Sequence, residues 1–326
     1  GKFLVQGRDA EQALNRLCCN DIAVPGGRIV YTQWANSSGG IEADLTVTRL
    51  ATDRFMVICS DTAHGHVEMW MKRHLPEDQH VFVTDVTSAY TQLNLHGPKS
   101  RTVLAALTTT DLDNEAFPYL HAREIHLGYA RVWAIRVTYV GELGWELYIP
   151  TEHAVQVYDR IVEEGSHHGL QHAGLQALNS LRLEKGYRDY GHDIDNMDTP
   201  LEAGLGFAVK LEKDAGFIGR DALATQKLAG IPTRRLLQFK LRDPEPLLHH
   251  AEPIYRNGEV VGYMRAGAYG FSLGASVGLG FVESSSPITA QHVGEDHWEI
   301  DIAGTRYEAD ASLRPLFDAE MARIKC

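Results

Sequence analysis

Cysteine is scarce in this 326-residue sequence, and long apolar runs are missing from it. The four cysteines are Cys18, Cys19, Cys59 and Cys326, whose spacing fits neither a metal site nor a disulfide framework. We therefore expect no bound metal and a reducing compartment, either the cytoplasm or, in a eukaryote, the mitochondrial matrix. No apolar run approaches ~18 residues, so we expect no membrane-spanning helix, and no signal or transit peptide is visible.

Positive charge is also in short supply. Lys and Arg number 31 against 43 Asp and Glu, a formal net charge of −12. This balance argues against nucleic acid or an anionic membrane as a main partner. A G-x-G-x-x-G fingerprint after a first strand is missing as well, so we expect this chain to bind no FAD. The sequence opens on GKFLVQG, already a strand pattern, which suggests a further region upstream.

The stretch TYVGELGWELY, from Thr138 to Tyr148, predicts two strands joined by a tight turn. The first strand is expected over residues 131–139. In the second, Glu146 and Tyr148 share one face because side chains alternate along a strand. Two interpretations of Glu146 stay open. It is a surface residue on an edge strand, or it is a carboxylate that accepts hydrogen bonds from a planar ligand with adjacent N–H groups.

A second informative stretch is NSLRLEKGYRDYGHDI, which ends at Ile194. Its first part belongs to a helix predicted over residues 175–187, and Tyr190 follows in a loop. Arg182 lies on that helix among leucines typical of a core. The simplest interpretation of Arg182 is a surface ion pair with Glu184 or Glu142.

Near the N-terminus, RIVYTQWANSSGGIEADLTVTRL predicts a β-hairpin around a Gly-Gly turn. Tyr31, Gln33, Glu42 and Asp44 form a polar set along its two strands. A helix beginning at residue 61 or 62 then carries His64 and His66. Residues two apart on a helix point in different directions, so only one of these histidines can face an interior site.

From Arg234 onward the pattern changes to short alternating strands with glycine turns, Asn257-Gly258 among them. This pattern predicts a small β-barrel. We place the domain boundary near Ile231, with an α+β core of two interleaved lobes at residues 1–230 and the barrel at residues 231–326. Length alone allows one large domain or two to three small ones.

Together with DTPLEAGLGFAVKL and FIGRDAL, the two stretches resemble the folate-binding fold of the glycine-cleavage T-protein (aminomethyltransferase) family. The agreement is best with the C-terminal, tetrahydrofolate-dependent half of sarcosine and dimethylglycine dehydrogenases, and it covers Lys2 to roughly Arg314. The resemblance implies an α+β, three-lobed aminomethyltransferase-like fold with a small C-terminal β-barrel. It also implies tetrahydrofolate in a central channel.

The resemblance further assigns roles to particular residues. Glu146 would accept hydrogen bonds from the pterin, and Arg182 would contact the polar edge of the folate. Tyr139 and Tyr190 would offer aromatic surface, and Tyr31 lies on the hairpin that walls the channel in the family.

The family's catalytic Asp is expected near the start of the helix after the third strand. By count from FMVIC, His66 stands at that position. An imidazole is largely neutral at pH 7, whereas an aspartate is charged, so the chemistry cannot be unchanged. His66 is therefore either a base or hydrogen-bond acceptor, or an exposed helix residue.

The expected function is tetrahydrofolate-dependent transfer of a one-carbon unit from a small N-methyl amine. The chain would be the folate half of a sarcosine or dimethylglycine dehydrogenase-like system, with a flavin oxidase domain or subunit as its partner. Two alternatives remain: an O- or S-demethylase, and a folate-binding module without catalysis. The three functions differ in their products. The transferase should form methylenetetrahydrofolate, the demethylase 5-methyltetrahydrofolate, and the binding module no product.

Overall fold

A computed structural model describes all residues from 1 to 326. The first lobe contains β1 (Lys2–Gln6), α1 (Ala10–Leu17), β2 (Ile29–Ala35), β3 (Ile41–Ala51), β4 (Arg54–Cys59), α2 (His64–His74) and β5 (Phe82–Asp85). Its antiparallel sheet has the order β2-β3-β4-β1-β5. One face of this sheet packs with α1 and α2 in a core that includes Phe3, Trp34, Leu45 and Val57. Because strand side chains alternate, Tyr31 and Asp44 belong to the opposite face.

The second lobe contains β6 (Tyr90–His96), α3 (Ser100–Leu107), β7 (Ala122–Leu127), β8 (Ala130–Ile135), β9 (Gly144–Pro150) and α4 (Ala154–Ser166). Its sheet has the order β6-β9-β8-β7. Trp145, Leu147 and Ile149 pack in a core with residues of α3 and α4. Glu146 and Tyr148 therefore share the other face of β9, as the alternation predicts.

The predicted strand over residues 131–139 was too long, since β8 ends at Ile135. Beyond it the chain bends: Thr138 accepts a hydrogen bond from the Val140 N–H through its hydroxyl. Gly141 then adopts a φ of +75°, and a Cβ there would lie 2.4 Å from the Cγ of Lys185. Tyr139 therefore sits in an irregular segment, and only glycine fits the turn that follows.

The helix predicted over residues 175–187 is likewise shorter. Helix α5 (Leu175–Glu184) is followed by a long loop and then by α6 (Arg220–Leu228). Short 3₁₀ turns occur at Thr87–Ala89, Thr151–His153 and Gly206–Ala208. Gly186, with a φ of +62°, ends the run of helical residues in the left-handed conformation that glycine adopts readily.

The C-terminal part contains β10 (Arg234–Leu241), β11 (Pro253–Arg256), β12 (Glu259–Gly270), β13 (Ala275–Glu283), α7 (Ala290–Glu295), β14 (Trp298–Ile302), β15 (Thr305–Ser312) and α8 (Ala322–Lys325). Its six strands close into a barrel of order β10-β13-β12-β11-β14-β15. Asn257 and Gly258 join β11 to β12 with φ values of +53° and +88°. These values suit a two-residue hairpin, so the turn and the small barrel are confirmed.

The three parts of the molecule pack on one another. Ile29 and Ile58 of the first sheet share a cluster with Ile135 and Tyr148 of the second. A separate cluster joins Ile41 to Leu183 of α5 and to barrel residues that include Leu279 and Phe281. None of the helices has both the length and the apolar character needed to cross a bilayer.

After the barrel the chain returns to the second lobe as a segment over residues 317–326, which we call the C-terminal strap. Ile324 of the strap is buried, and the Arg136 guanidinium donates to its carbonyl at 3.3 Å. The Lys185 ammonium donates to the carbonyl of Asp318 at 2.5 Å. The segment after the barrel is thereby tied to the second lobe through Arg136 and to the end of α5 through Lys185.

Candidate functional site

Asp44 is the carboxylate around which the site is built. It lies on β3 directly opposite Gln33 of β2, and the Gln33 side chain donates from Nε2 to its Oδ1 at 2.7 Å. Burial raises the pKa of Asp44 to about 6, against the lowering effect of Gln33, of Tyr31 and of the Arg188 charge. A carboxyl group with a pKa near 6 can exchange a proton close to neutral pH.

From the sequence alone, Asp44 belongs only to a polar set of residues on the hairpin. The available signal was the two-residue period, which puts Asp44 on one face with Tyr31 and Gln33 once the hairpin register is known. The register includes a bulge at Trp34 and Ala35, so counting from the turn alone does not give this pairing.

The surroundings of Asp44 include three tyrosines, Tyr31, Tyr139 and Tyr190. The Tyr31 ring stacks on Phe207 with centroids 6.1 Å apart. The Tyr139 hydroxyl donates to the Arg188 carbonyl at 2.8 Å. Burial raises the pKa of Tyr31 and Tyr139, and raises that of Tyr190 to about 12. The charge of Asp44 contributes to all three shifts, which puts the rings within electrostatic reach of it.

Glu146 lies on β9, an interior strand of its sheet between β6 and β8. The interpretation as an edge-strand surface residue is therefore wrong. The Tyr148 hydroxyl donates to its Oε2 at 2.6 Å, and no cationic side chain lies within ion-pair distance. Burial raises the pKa of Glu146, against the lowering effect of the Tyr148 hydroxyl. A carboxylate with this environment has capacity to accept hydrogen bonds from a ligand.

Arg182 is fully buried on α5 and forms a buried ion pair with Asp193. It also donates to the Asn179 side chain at 2.9 Å and to the Tyr187 carbonyl at 3.0 Å. The surface pair with Glu184 or Glu142 is therefore wrong. Most of its N–H groups hold the loop that carries Tyr190, so this geometry gives Arg182 a positioning role and leaves little capacity for direct ligand contact.

The two acids that the sequence offers as partners of Arg182, Glu142 and Glu184, interact with other groups. Glu142 forms an ion pair with Arg323 of the C-terminal strap at 2.6 Å. The Glu184 carboxylate accepts from the backbone N–H groups of Ser272 and Leu273 at 2.6 and 3.1 Å. That contact anchors the β12–β13 hairpin on α5.

A cavity of about 490 Å³ lies beside Tyr190 and has carboxylates and histidines in its wall. Its lining residues are Glu42, Ser60, Asp61, Thr62, Ala63, His66, Asp189, Tyr190, Gly191, His192, Asp195 and Asn196. His66 is 45% exposed there, with its Nε2 at 3.0 Å from Oε2 of Glu42. His64 instead lies 2.9 Å from Asp85 and stacks on Phe3. Of the two histidines, only His66 lines the cavity.

Two family models match the chain. The model described as "GCVT N-terminal domain" matches residues 1–213, and that of the "Glycine cleavage T-protein C-terminal barrel domain" matches residues 234–318. Among solved structures, the glycine cleavage system aminomethyltransferase T from Bartonella henselae has a TM-score of 0.84 at 23% identity. The alignment covers 98% of this chain and 84% of that one. The chain thus has an aminomethyltransferase-like fold.

Curated relatives carry several different names. The mouse pyruvate dehydrogenase phosphatase regulatory subunit is 39% identical over 95% of this chain. The human sarcosine dehydrogenase is 35% identical over 100% of it. This chain spans only 37% of the length of each of these two proteins. An aminomethyltransferase from Halothermothrix orenii is 36% identical over 86% of this chain and 77% of its own length.

Proposed function

Because this chain belongs to the glycine-cleavage T-protein family, we propose that it binds tetrahydrofolate and transfers a one-carbon unit to it from a small N-methyl amine. The observation that carries the proposal is Glu146. A carboxylate on an interior strand, with raised pKa and no cationic partner, is costly to keep unless something else uses it. The family's ligand offers adjacent N–H groups suited to a carboxylate.

The other residues fit the same ligand. The face of β9 that carries Glu146 adjoins the first sheet through the cluster of Ile29, Ile58 and Tyr148. Aromatic rings of Tyr31, Tyr139 and Tyr190 supply flat apolar surface near Asp44. We place the ligand along this interlobe surface, with Glu146 at the pterin end.

Asp44 is the group we assign to proton transfer. Tetrahydrofolate, when bound, supplies the nucleophilic nitrogens that take up the one-carbon unit. Asp44, with a pKa of about 6, accepts a proton as the charged carboxylate at neutral pH. Burial of the surrounding tyrosines limits access of water to this carboxylate.

His66 takes a second role in the proposal. Its ring is partly exposed in the cavity and close to Glu42. We propose that it exchanges protons between the cavity and solvent, since an imidazole has both a donor and an acceptor nitrogen. Arg182 keeps the loop with Tyr190 in place, and a direct contact between Arg182 and the folate remains a secondary proposal.

A flavin domain or subunit completes the proposed system. Relatives named sarcosine dehydrogenase are much longer than this chain. We propose that such a partner oxidises the N-methyl amine and that this chain binds no FAD. Purified chain with one equivalent of FAD, detected by flavin absorbance, would contradict this division of labour.

Binding without catalysis is the second candidate, because one relative at 39% identity is named a regulatory subunit. The test is incubation with tetrahydrofolate and formaldehyde, followed by mass analysis of the folates. Methylenetetrahydrofolate formed faster than in buffer supports the transferase. Binding in calorimetry without such acceleration supports the binding module, and no binding contradicts both.

A further inference from the structure

The amide of Gln33 has an unusual position next to Asp44. Gln33 is completely buried, and its Nε2 donates to Oδ1 of Asp44 at 2.7 Å. Its Oε1 is also buried and has no hydrogen-bond partner. A buried amide oxygen without a partner costs free energy, so natural proteins contain few of them and each one invites an explanation.

Other charged groups do not replace this contact. Five titratable side chains interact electrostatically with Asp44: Tyr31, Tyr139, Arg188, Asp189 and Tyr190. Arg188 is the only cation among them. Its guanidinium donates to the carbonyls of Ala203 and Gly186 at 3.0 and 2.6 Å, and no carboxylate lies within 4.0 Å of it. Gln33 and the Tyr31 hydroxyl are therefore direct donors to Asp44, whereas Arg188 acts from a distance.

We propose that Gln33 is the positioning residue for Asp44 and serves both of its protonation states. Nε2–H donates to the charged carboxylate. When Asp44 takes up a proton on Oδ1, a half-turn of the amide brings Oε1 to the new O–H as its acceptor. No covalent bond changes other than the O–H bond of Asp44. The Oε1 that has no partner while Asp44 is charged is therefore the acceptor for the protonated carboxyl group.

This inference rests on the proposed role of Asp44 in proton transfer. Its physical consequence concerns the two states of the carboxyl group. The bond from Nε2 to the carboxylate is assisted by charge and is stronger than the bond between neutral groups. Gln33 therefore favours the charged form, and its loss shifts the Asp44 titration to higher pH.

The experiment is an infrared titration of the Asp44 carboxyl in the free protein, with Asp44→Asn used to assign the band. We expect Gln33→Leu to move the midpoint upward by about one pH unit. Gln79→Leu is the matched control, since Gln79 also has a buried Oε1 without a partner but its side chain donates to no carboxylate. A midpoint that is the same in Gln33→Leu as in wild type would overturn the proposal.

A second variant covers the case in which Gln33→Leu does not fold. Gln33→Glu has the same shape and places two carboxyl groups side by side, which should separate their titrations into two steps. One unperturbed step would overturn the proposal. The amide signals of Gln33 in nitrogen-15 spectra should also change at the Asp44 midpoint and stay constant with pH in Asp44→Asn.

The two levels of proposal fail separately. If the titration shifts as expected but the wild type transfers no one-carbon unit, Gln33 positions Asp44 and the proposed function is wrong. If transfer occurs and neither Gln33 variant changes the titration or the pH profile, the function stands and the role of Gln33 is wrong.

Discussion

The Tyr148 hydroxyl and the Glu146 carboxylate are joined by a 2.6 Å hydrogen bond between residues two apart on β9. Because both side chains leave the strand on the same face, the tyrosine fixes the direction of the carboxylate. The bond occupies one oxygen, Oε2, and stabilises the charged form of the acid. Glu146 is thus oriented before any ligand arrives, which reduces the entropy lost on binding.

Replacement of Glu146 by Gln keeps the shape of the side chain and removes its charge. A charged acceptor typically contributes ~1.5–3 kcal/mol, so we expect tetrahydrofolate to bind about ten- to over a hundred-fold more weakly. Calorimetry on Glu146→Gln and on Glu142→Gln provides the comparison. Glu142 pairs with Arg323 at the nearby turn, and its variant should bind as the wild type does. Equal affinities in both variants would remove Glu146 from the site.

Asp44→Asn should lower the rate of one-carbon transfer by roughly 10²–10⁴-fold, the usual contribution of a general acid–base group. The proposed role makes the charged carboxylate the active form, so the wild-type rate should rise as the pH passes through about 6. Rates measured between about pH 5 and pH 9 test this. The rise of the rate with pH should be absent in Asp44→Asn. A rise that persists in this variant would belong to another titratable group.

The same substitution should change the dependence of stability on pH. Asp44 binds its proton more tightly in the folded protein, with a pKa of about 6, than its ordinary value of 3.8 allows. Its contribution to stability is therefore lost as the pH rises from about 4 to about 6. Urea unfolding should show Asp44→Asn to be more stable relative to wild type at about pH 8 than at about pH 4. The same substitution at exposed Asp53 is the matched control.

Arg182→Ala should destabilise the protein by roughly 3–5 kcal/mol, because it leaves the buried carboxylate of Asp193 without its partner. The double variant Arg182→Met with Asp193→Leu should lose less than the sum of the two single changes. Urea unfolding gives these values. Tetrahydrofolate affinity of the folded double variant then separates the two roles: retained affinity shows positioning only, and lost affinity supports direct contact.

His66→Ala should slow one-carbon transfer at least roughly ten-fold, and His64→Ala should leave it close to wild type. The reason is placement, since His66 lines the cavity and His64 contacts Asp85 and Phe3. His66→Asp should leave folate binding intact. Transfer from formaldehyde, measured across about pH 5 to 9, is the readout. A rate and pH profile that do not change in His66→Ala would place His66 outside the mechanism.

Patterns along the chain were sufficient for the architecture. Alternation in β9 correctly put Glu146 and Tyr148 on one face, and the Asn257-Gly258 pair marked a real hairpin of the barrel. Strand and helix ends were less accurate. Local propensity continued β8 to Tyr139, but the chain bends after Ile135 and packs Gly141 against Lys185.

The environment of single charged groups could not be predicted from the sequence. Arg182 forms its ion pair with Asp193 of the following loop and not with Glu184, which is nearer in the sequence. This pairing depends on how the loop folds back onto α5. Asp44 is distinguished on this hairpin by its raised pKa and its contact with Gln33. Such properties arise from tertiary packing, so they leave no periodic signal in the chain.

The C-terminal strap has a thermodynamic consequence. Arg136 of the second lobe and Lys185 at the end of α5 hold it through backbone carbonyls, so the segment after the barrel is hydrogen-bonded to both. Melting of the second lobe would therefore break hydrogen bonds that hold the segment after the barrel. The molecule should consequently unfold in a single cooperative calorimetric transition, with the barrel acting as part of one cooperative unit and not as an independent module.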